Sequence, residues 1–87
     1  MSFDVLIVDD SLVARKFMEK AVRLSGLPVN QFFFADNGKR AIEIMEHDRI
    51  DVVFSGINMP VMNGMALMHA MRCNERLRSV PVIIASA

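Results

Sequence analysis

The stretch "VVFSGINMP", residues 52–60, changes character halfway along. Val52, Val53 and Phe54 are residue types that favour a pleated, buried strand. Ser55 and Gly56 end that run, and Asn58-Met59-Pro60 turns the chain. A short apolar strand without polar alternation suits a sheet covered on both faces, which is the habit of parallel sheets. In such sheets ligands gather at the carboxyl ends of the strands. Here that end carries a glycine, so chemistry at this point must come from residues brought in by the neighbouring strands.

Working outward, the same alternation recurs. Phe3 to Val8 is a second apolar run, followed by Asp9, Asp10 and Ser11, all good helix N-cap types. Val13, Phe17, Met18, Ala21 and Val22 recur at helical spacing among Leu12, Arg15, Lys16 and Glu19, which predicts a helix over about 11–24. Ser25-Gly26-Leu27-Pro28 stops it. Gln31 to Ala35 reads as a strand, Asp36-Asn37-Gly38 as a turn, and Lys39 to His47 as a short helix with Ala41, Ile42 and Met45 on one face. After the 52–55 strand and a loop broken by Pro60, Gly64 to Cys73 predicts a third helix and Val80 to Ala85 a fourth strand. The order β-α-β-α-β-α-β points to an α/β fold with a parallel sheet, helices on both faces and right-handed connections. There is no internal repeat, low-complexity tract or linker.

Composition narrows the function. The 87 residues suffice for one domain, with a thin stability margin. Ten basic and ten acidic side chains cancel, which gives no support for a nucleic-acid or membrane surface. The longest apolar runs fall far short of the ~20 residues of a spanning helix, and Asp4 interrupts any leader-like start. A cytoplasmic location is therefore expected. Cys73 stands alone, so no internal disulfide forms, and on a helix it reads as a packing residue.

The strand ends bring Asp9-Asp10, Ser55-Gly56 and Ser86 toward one crevice, the outline of a small divalent-cation and phosphate site. Asp10 and Ser11 read equally well as helix caps. Gly56 reads either as a backbone needing positive φ or as a lost functional side chain. Lys39 and Arg40 read as a solvated helix start, and His47 and His69 as surface residues. Met59, Met62, Met65, Met68 and Met71 recur every third residue. That step drifts around a helix, so core filling or an adaptable surface outweighs a copper(I) site.

"VLIVDDS" (5–11), "ADNGKRAIEIM" (35–45), "INMPVMNG" (57–64) and "VPVIIASA" (80–87) together resemble the receiver domain of bacterial response regulators. The resemblance covers the whole chain. It implies a flavodoxin-like doubly wound sheet in strand order 2-1-3-4, with residues 1–87 lacking the family's α4-β5-α5 portion. It also implies phosphoryl transfer from a histidine kinase to an aspartate at the end of strand three. By the same resemblance, Asp9, Asp10 and the backbone carbonyl of Asn58 match the Mg²⁺ ligands, Ser86 the phosphoryl-binding switch hydroxyl, and Pro60 and Gly64 the loop that shapes the site. Gly56 falls on the acceptor position. The expectation is a signalling module of a two-component system, not an enzyme, which takes no phosphoryl group at the usual place, binds Mg²⁺ weakly at most, and docks a histidine kinase or an output domain. One alternative is a fragment or mutant of an ordinary phospho-accepting regulator; another, of a different class, is a small phosphatase using Asp9. The apolar run of strand four, left at a sheet edge, predicts a homodimer through that edge or a neighbouring helix face.

Overall fold

The computed structural model describes residues 1–85. Its elements are β1 (Phe3–Val8), α1 (Leu12–Leu24), β2 (Val29–Ala35), α2 (Gly38–His47), β3 (Val52–Ser55), α3 (Gly64–Arg72) and β4 (Val82–Ile84). All strand pairs are parallel, in the expected order β2-β1-β3-β4. β1 is one of the two interior strands, beside β3, and Val5 to Val8 are fully buried. Alternation along it feeds two cores. Leu6 and Val8, with Val53 of β3, pack against Ala41, Ile44 and Met45 of α2 and Leu67 and Met71 of α3. Val5 and Ile7 point the other way, toward Met18 of α1, with Val52 and Phe54 alongside.

Each helix begins on a side-chain cap; the sequence names Ser11 as a capping type, but reads Asn37 as part of a turn and Asn63 as the end of a loop. Ser11 Oγ accepts from the N–H of Ala14, Asn37 from Arg40 and Asn63 from Ala66. Each cap satisfies one of the N–H groups that a helix start leaves free. Of the two capping candidates before α1, Ser11 caps and Asp10 stays exposed.

Several boundaries differ from expectation. β2 starts at Val29, two residues early, because Phe3 and Val29 already pair. β4 is only Val82–Ile84, shorter than the 80–85 run. Pro81 has no N–H to pair, although its carbonyl still accepts from Val53, and Val80 turns into the α2–α3 core. In α3, Met65 is exposed, Met68 half-buried and Met71 buried, as a drifting step requires, while Met59, buried, and Met62, half-buried, lie in the loop before the helix. Cys73 corrects the packing expectation: it is the C-cap residue of α3 and is exposed.

Val61 is the one described non-glycine residue with positive φ, at 67°. It is β-branched and exposed, so nothing in the packing offsets the left-handed backbone, which costs an L-residue roughly 1–2 kcal/mol. Val61→Asn is expected to stabilise the chain by about 1 kcal/mol, since asparagine tolerates this conformation. Urea unfolding checks it, and an unchanged or lowered midpoint would contradict the strain assignment.

Candidate functional site

The register of the sheet brings the strand ends level. Val8 pairs with Ala35 on one side and Ser55 on the other, and Ser55 pairs with Ile84. Backbone bonds carry the alignment one residue further: Asp9 N–H donates to Ala35 O (3.0 Å), Gly56 N–H to Val8 O (2.8 Å) and Ala85 N–H to Ser55 O (2.8 Å). The acids after β1 and the glycine after β3 therefore lie side by side. Ser86, assigned to the same crevice from the sequence, lies outside the described residues.

Asp9 is half-buried and Asp10 exposed. One carboxylate oxygen of Asp9, Oδ1, accepts from the N–H of Ser11 at 2.9 Å. The Arg15 guanidinium donates to the Asp9 carbonyl at 2.7 Å and pins the β1–α1 turn from outside. Sequence reasoning missed that contact, because nothing in the spacing separates Arg15 from Lys16.

Gly56 is buried, and its φ is not positive, so the backbone explanation for glycine falls away. The reason lies across the crevice. A Cβ at position 56 would overlap Asp9 Oδ2 and stand 3.0 Å from Asp9 Cγ. The Asp9 carboxylate thus occupies the space where a side chain on residue 56 would begin.

The neighbouring hydroxyl offers no substitute. Ser55 is fully buried, and its Oγ donates to the carbonyl of Gly56 at 2.8 Å. A buried hydroxyl committed to a backbone carbonyl, with no base beside it, is not an activated nucleophile.

The loop beyond Gly56 closes on itself. Met62 N–H donates to Pro60 O (2.7 Å), Gly64 N–H to Ile57 O (2.8 Å), and Gly38 N–H at the start of α2 to Met62 O (2.9 Å). Buried Met59 anchors the loop in the core, while Asn58 and Pro60 remain exposed.

For a hard divalent cation, the crevice offers two carboxylates of suitable chemistry. Mg²⁺ is commonly held by one or two carboxylates with phosphate oxygens and water, so Asp9 and Asp10 meet the minimum. Among the described residues, no three His, Cys, Asp or Glu side chains gather to hold a metal. His47 and His69 are exposed and away from the crevice, as expected.

A depression of about 410 Å³ lies at the opposite ends of the strands, lined by residues 45–51 with Arg76, Leu77, Ser79 and Val80. A second cavity of about 360 Å³ runs from Asp9 and Ser11 along Val13, Phe17 and Met18 to Ala85. It joins the crevice to an apolar groove between α1 and Phe54. No described helix is long and apolar enough to cross a membrane.

The chain matches the family described as "Response regulator receiver domain" over residues 5–87. The chemotaxis protein CheY of Pseudomonas aeruginosa is 32% identical over 83 residues, which cover 95% of this chain and 65% of that protein. Among solved structures, the receiver domain of a signal transduction histidine kinase from Syntrophus aciditrophicus superimposes with a TM-score of 0.85 at 29% identity, covering 95% of this chain and 61% of that one. The receiver domain of a sensor histidine kinase from Pseudomonas aeruginosa, which has a magnesium ion coordinated in its active site cleft, matches with a TM-score of 0.79 at 25% identity, covering 97% and 66%. The chain spans less than two thirds of the length of each of these relatives.

Proposed function

The chain belongs to the response regulator receiver domain family, and on that basis we propose that it is a receiver-type signalling module which accepts no phosphoryl group at position 56 and acts by binding. The observation that carries the reading is the Asp9 carboxylate packed over Gly56, where an acceptor side chain would start. Glycine supplies no oxygen to attack phosphorus. It also leaves the cation with Asp9, Asp10 and the Asn58 carbonyl alone, so Mg²⁺ binds weakly. When bound, the cation would neutralise charge on the crevice acids. Asp9 must then give up part of its present packing, because the oxygen over Gly56 is the one not committed to Ser11.

The partners on this reading are a histidine kinase or an output domain, in the cytoplasm, with no nucleic acid and no catalysis by the chain itself. Ser86 keeps the switch role that the family resemblance gives it. A second reading is favoured by the retained loop. Pro60, Gly64 and the 57–64 closure would serve a working acceptor equally well, so this stretch is alternatively part of an ordinary phospho-accepting regulator carrying glycine for aspartate. Acetyl phosphate with Mg²⁺, followed by intact mass, separates both readings from a phosphatase. Binding without chemistry leaves mass and reagent unchanged. A gain of one phosphoryl group, on another acid of the crevice, would contradict both readings, and a phosphatase consumes the reagent without keeping an adduct.

The binding surface includes a second copy of the chain. On α1, Val13 is 77% and Phe17 73% exposed, and Ile83 on the edge strand β4 is 47% exposed. An apolar edge is a template for pairing, and covering a few hundred Å² of such surface contributes several kcal/mol at about 25 cal/mol per Å². The 87-residue chain is expected to sediment as a dimer at micromolar concentration, and Phe17→Glu to shift it toward monomer. A cooperative monomer whose melting does not depend on concentration would contradict this.

A further inference from the structure

At the end of α3, away from the crevice, two metal-ligating side chains meet. Cys73 Sγ lies 3.7 Å from His69 Nε2, and both residues are exposed. They are one helical turn apart, and the spacing is held by the backbone, since Cys73 N–H donates to His69 O at 3.1 Å. We infer that His69 and Cys73 form a two-donor chelate for Zn²⁺ or a similarly thiophilic cation, with the remaining coordination positions open to solvent.

The separation is what the chemistry requires. Zinc takes a thiolate at about 2.3 Å and an imidazole nitrogen at about 2.0–2.1 Å in tetrahedral geometry, which places sulfur and nitrogen about 3.6 Å apart. The pair therefore needs almost no rearrangement to hold one ion. Position favours a cation as well, because the carboxyl end of a helix carries partial negative charge. Arg72, the neighbouring cation on α3, opposes binding electrostatically, so a hard ion such as Mg²⁺ gains nothing here and only a metal that bonds well to sulfur overcomes the repulsion. With two protein ligands the site is weaker than a four-ligand structural zinc centre.

The test is alkylation of Cys73 by iodoacetamide in the intact chain, with and without excess Zn²⁺, followed by mass. The thiolate is both the nucleophile and the metal ligand, so zinc is expected to slow alkylation by about tenfold or more in the parent. It is expected to have little effect in His69→Gln, whose substitution is exposed and leaves Cys73 in place. Co²⁺ gives a second readout: a thiolate-to-cobalt charge-transfer band in the parent, absent in Cys73→Ser and weakened in His69→Gln. Unprotected alkylation in the parent, or equal protection in His69→Gln, would overturn the assignment.

Discussion

Gly64→Ala is expected to lose about 3 kcal/mol or more of stability. A Cβ on Gly64 would overlap the carbonyl oxygen of Gly56, stand 3.1 Å from the Gly56 carbonyl carbon and 3.3 Å from Ile57 Cα. All three are backbone atoms, so no side-chain rotation relieves the overlap. The loop would have to open, breaking the Gly64–Ile57 hydrogen bond and displacing Asn63 from the cap of α3. At roughly 0.05–0.15 kcal/mol per residue, a chain of 87 residues holds only about 4–13 kcal/mol in total. The loss is therefore a large share of the whole. Urea denaturation measures it, and a variant as stable as the parent would show that the loop around the crevice is not built as described.

Gly56→Asp is expected to destabilise the chain without metal and to make its stability strongly dependent on Mg²⁺. Replacing glycine lowers the entropy of the unfolded chain, which favours the variant by roughly 0.5–1 kcal/mol. Against this, the new Cβ evicts the Asp9 carboxylate from its place over residue 56. A third carboxylate also joins Asp9 and Asp10. Two like charges 4 Å apart repel by about 4 kcal/mol at an effective dielectric of 20, before screening by salt. Repulsion thus outweighs the entropic gain. A dication offsets it, and a ligand at a hundred times its Kd contributes about 2.7 kcal/mol to the folded state. The variant's melting temperature should rise with Mg²⁺ well beyond any rise in the parent. Equal responses in the two proteins would mean that position 56 does not face the metal site.

Much of the fold is legible in the residues themselves. The apolar runs from Val5 and Val52, the capping residue Ser11, and the Ser-Gly-Leu-Pro stop after α1 act locally, so their outcome is visible in a few neighbouring letters. They suffice for the element order, and the family resemblance supplies the strand order. What stayed hidden depends on contacts across the fold. Whether Asp9 turns toward Gly56 is a matter of side-chain torsion and of what lies one strand away. The grip of Arg15 on the Asp9 carbonyl depends on the path of the β1–α1 turn. β4 is short because Pro81 interrupts a run whose hydrophobicity alone suggested six strand residues. Cys73 looked like a core residue because cysteine usually is one, whereas the face it occupies is settled by Leu67 and Met71, which turn α3 the other way.

A receiver module that acts by binding alone must lack an attacking oxygen at residue 56. Intact mass spectrometry after incubation with acetyl phosphate and Mg²⁺ tests that most directly, with the parent and Gly56→Asp run side by side. The parent should keep its mass while the aspartate variant gains one phosphoryl group that is lost on exposure to hydroxylamine, as an acyl phosphate is. A phosphoryl group on the parent, mapped to Asp9, Asp10 or any other acid of the crevice, would contradict a function by binding without phosphoryl transfer.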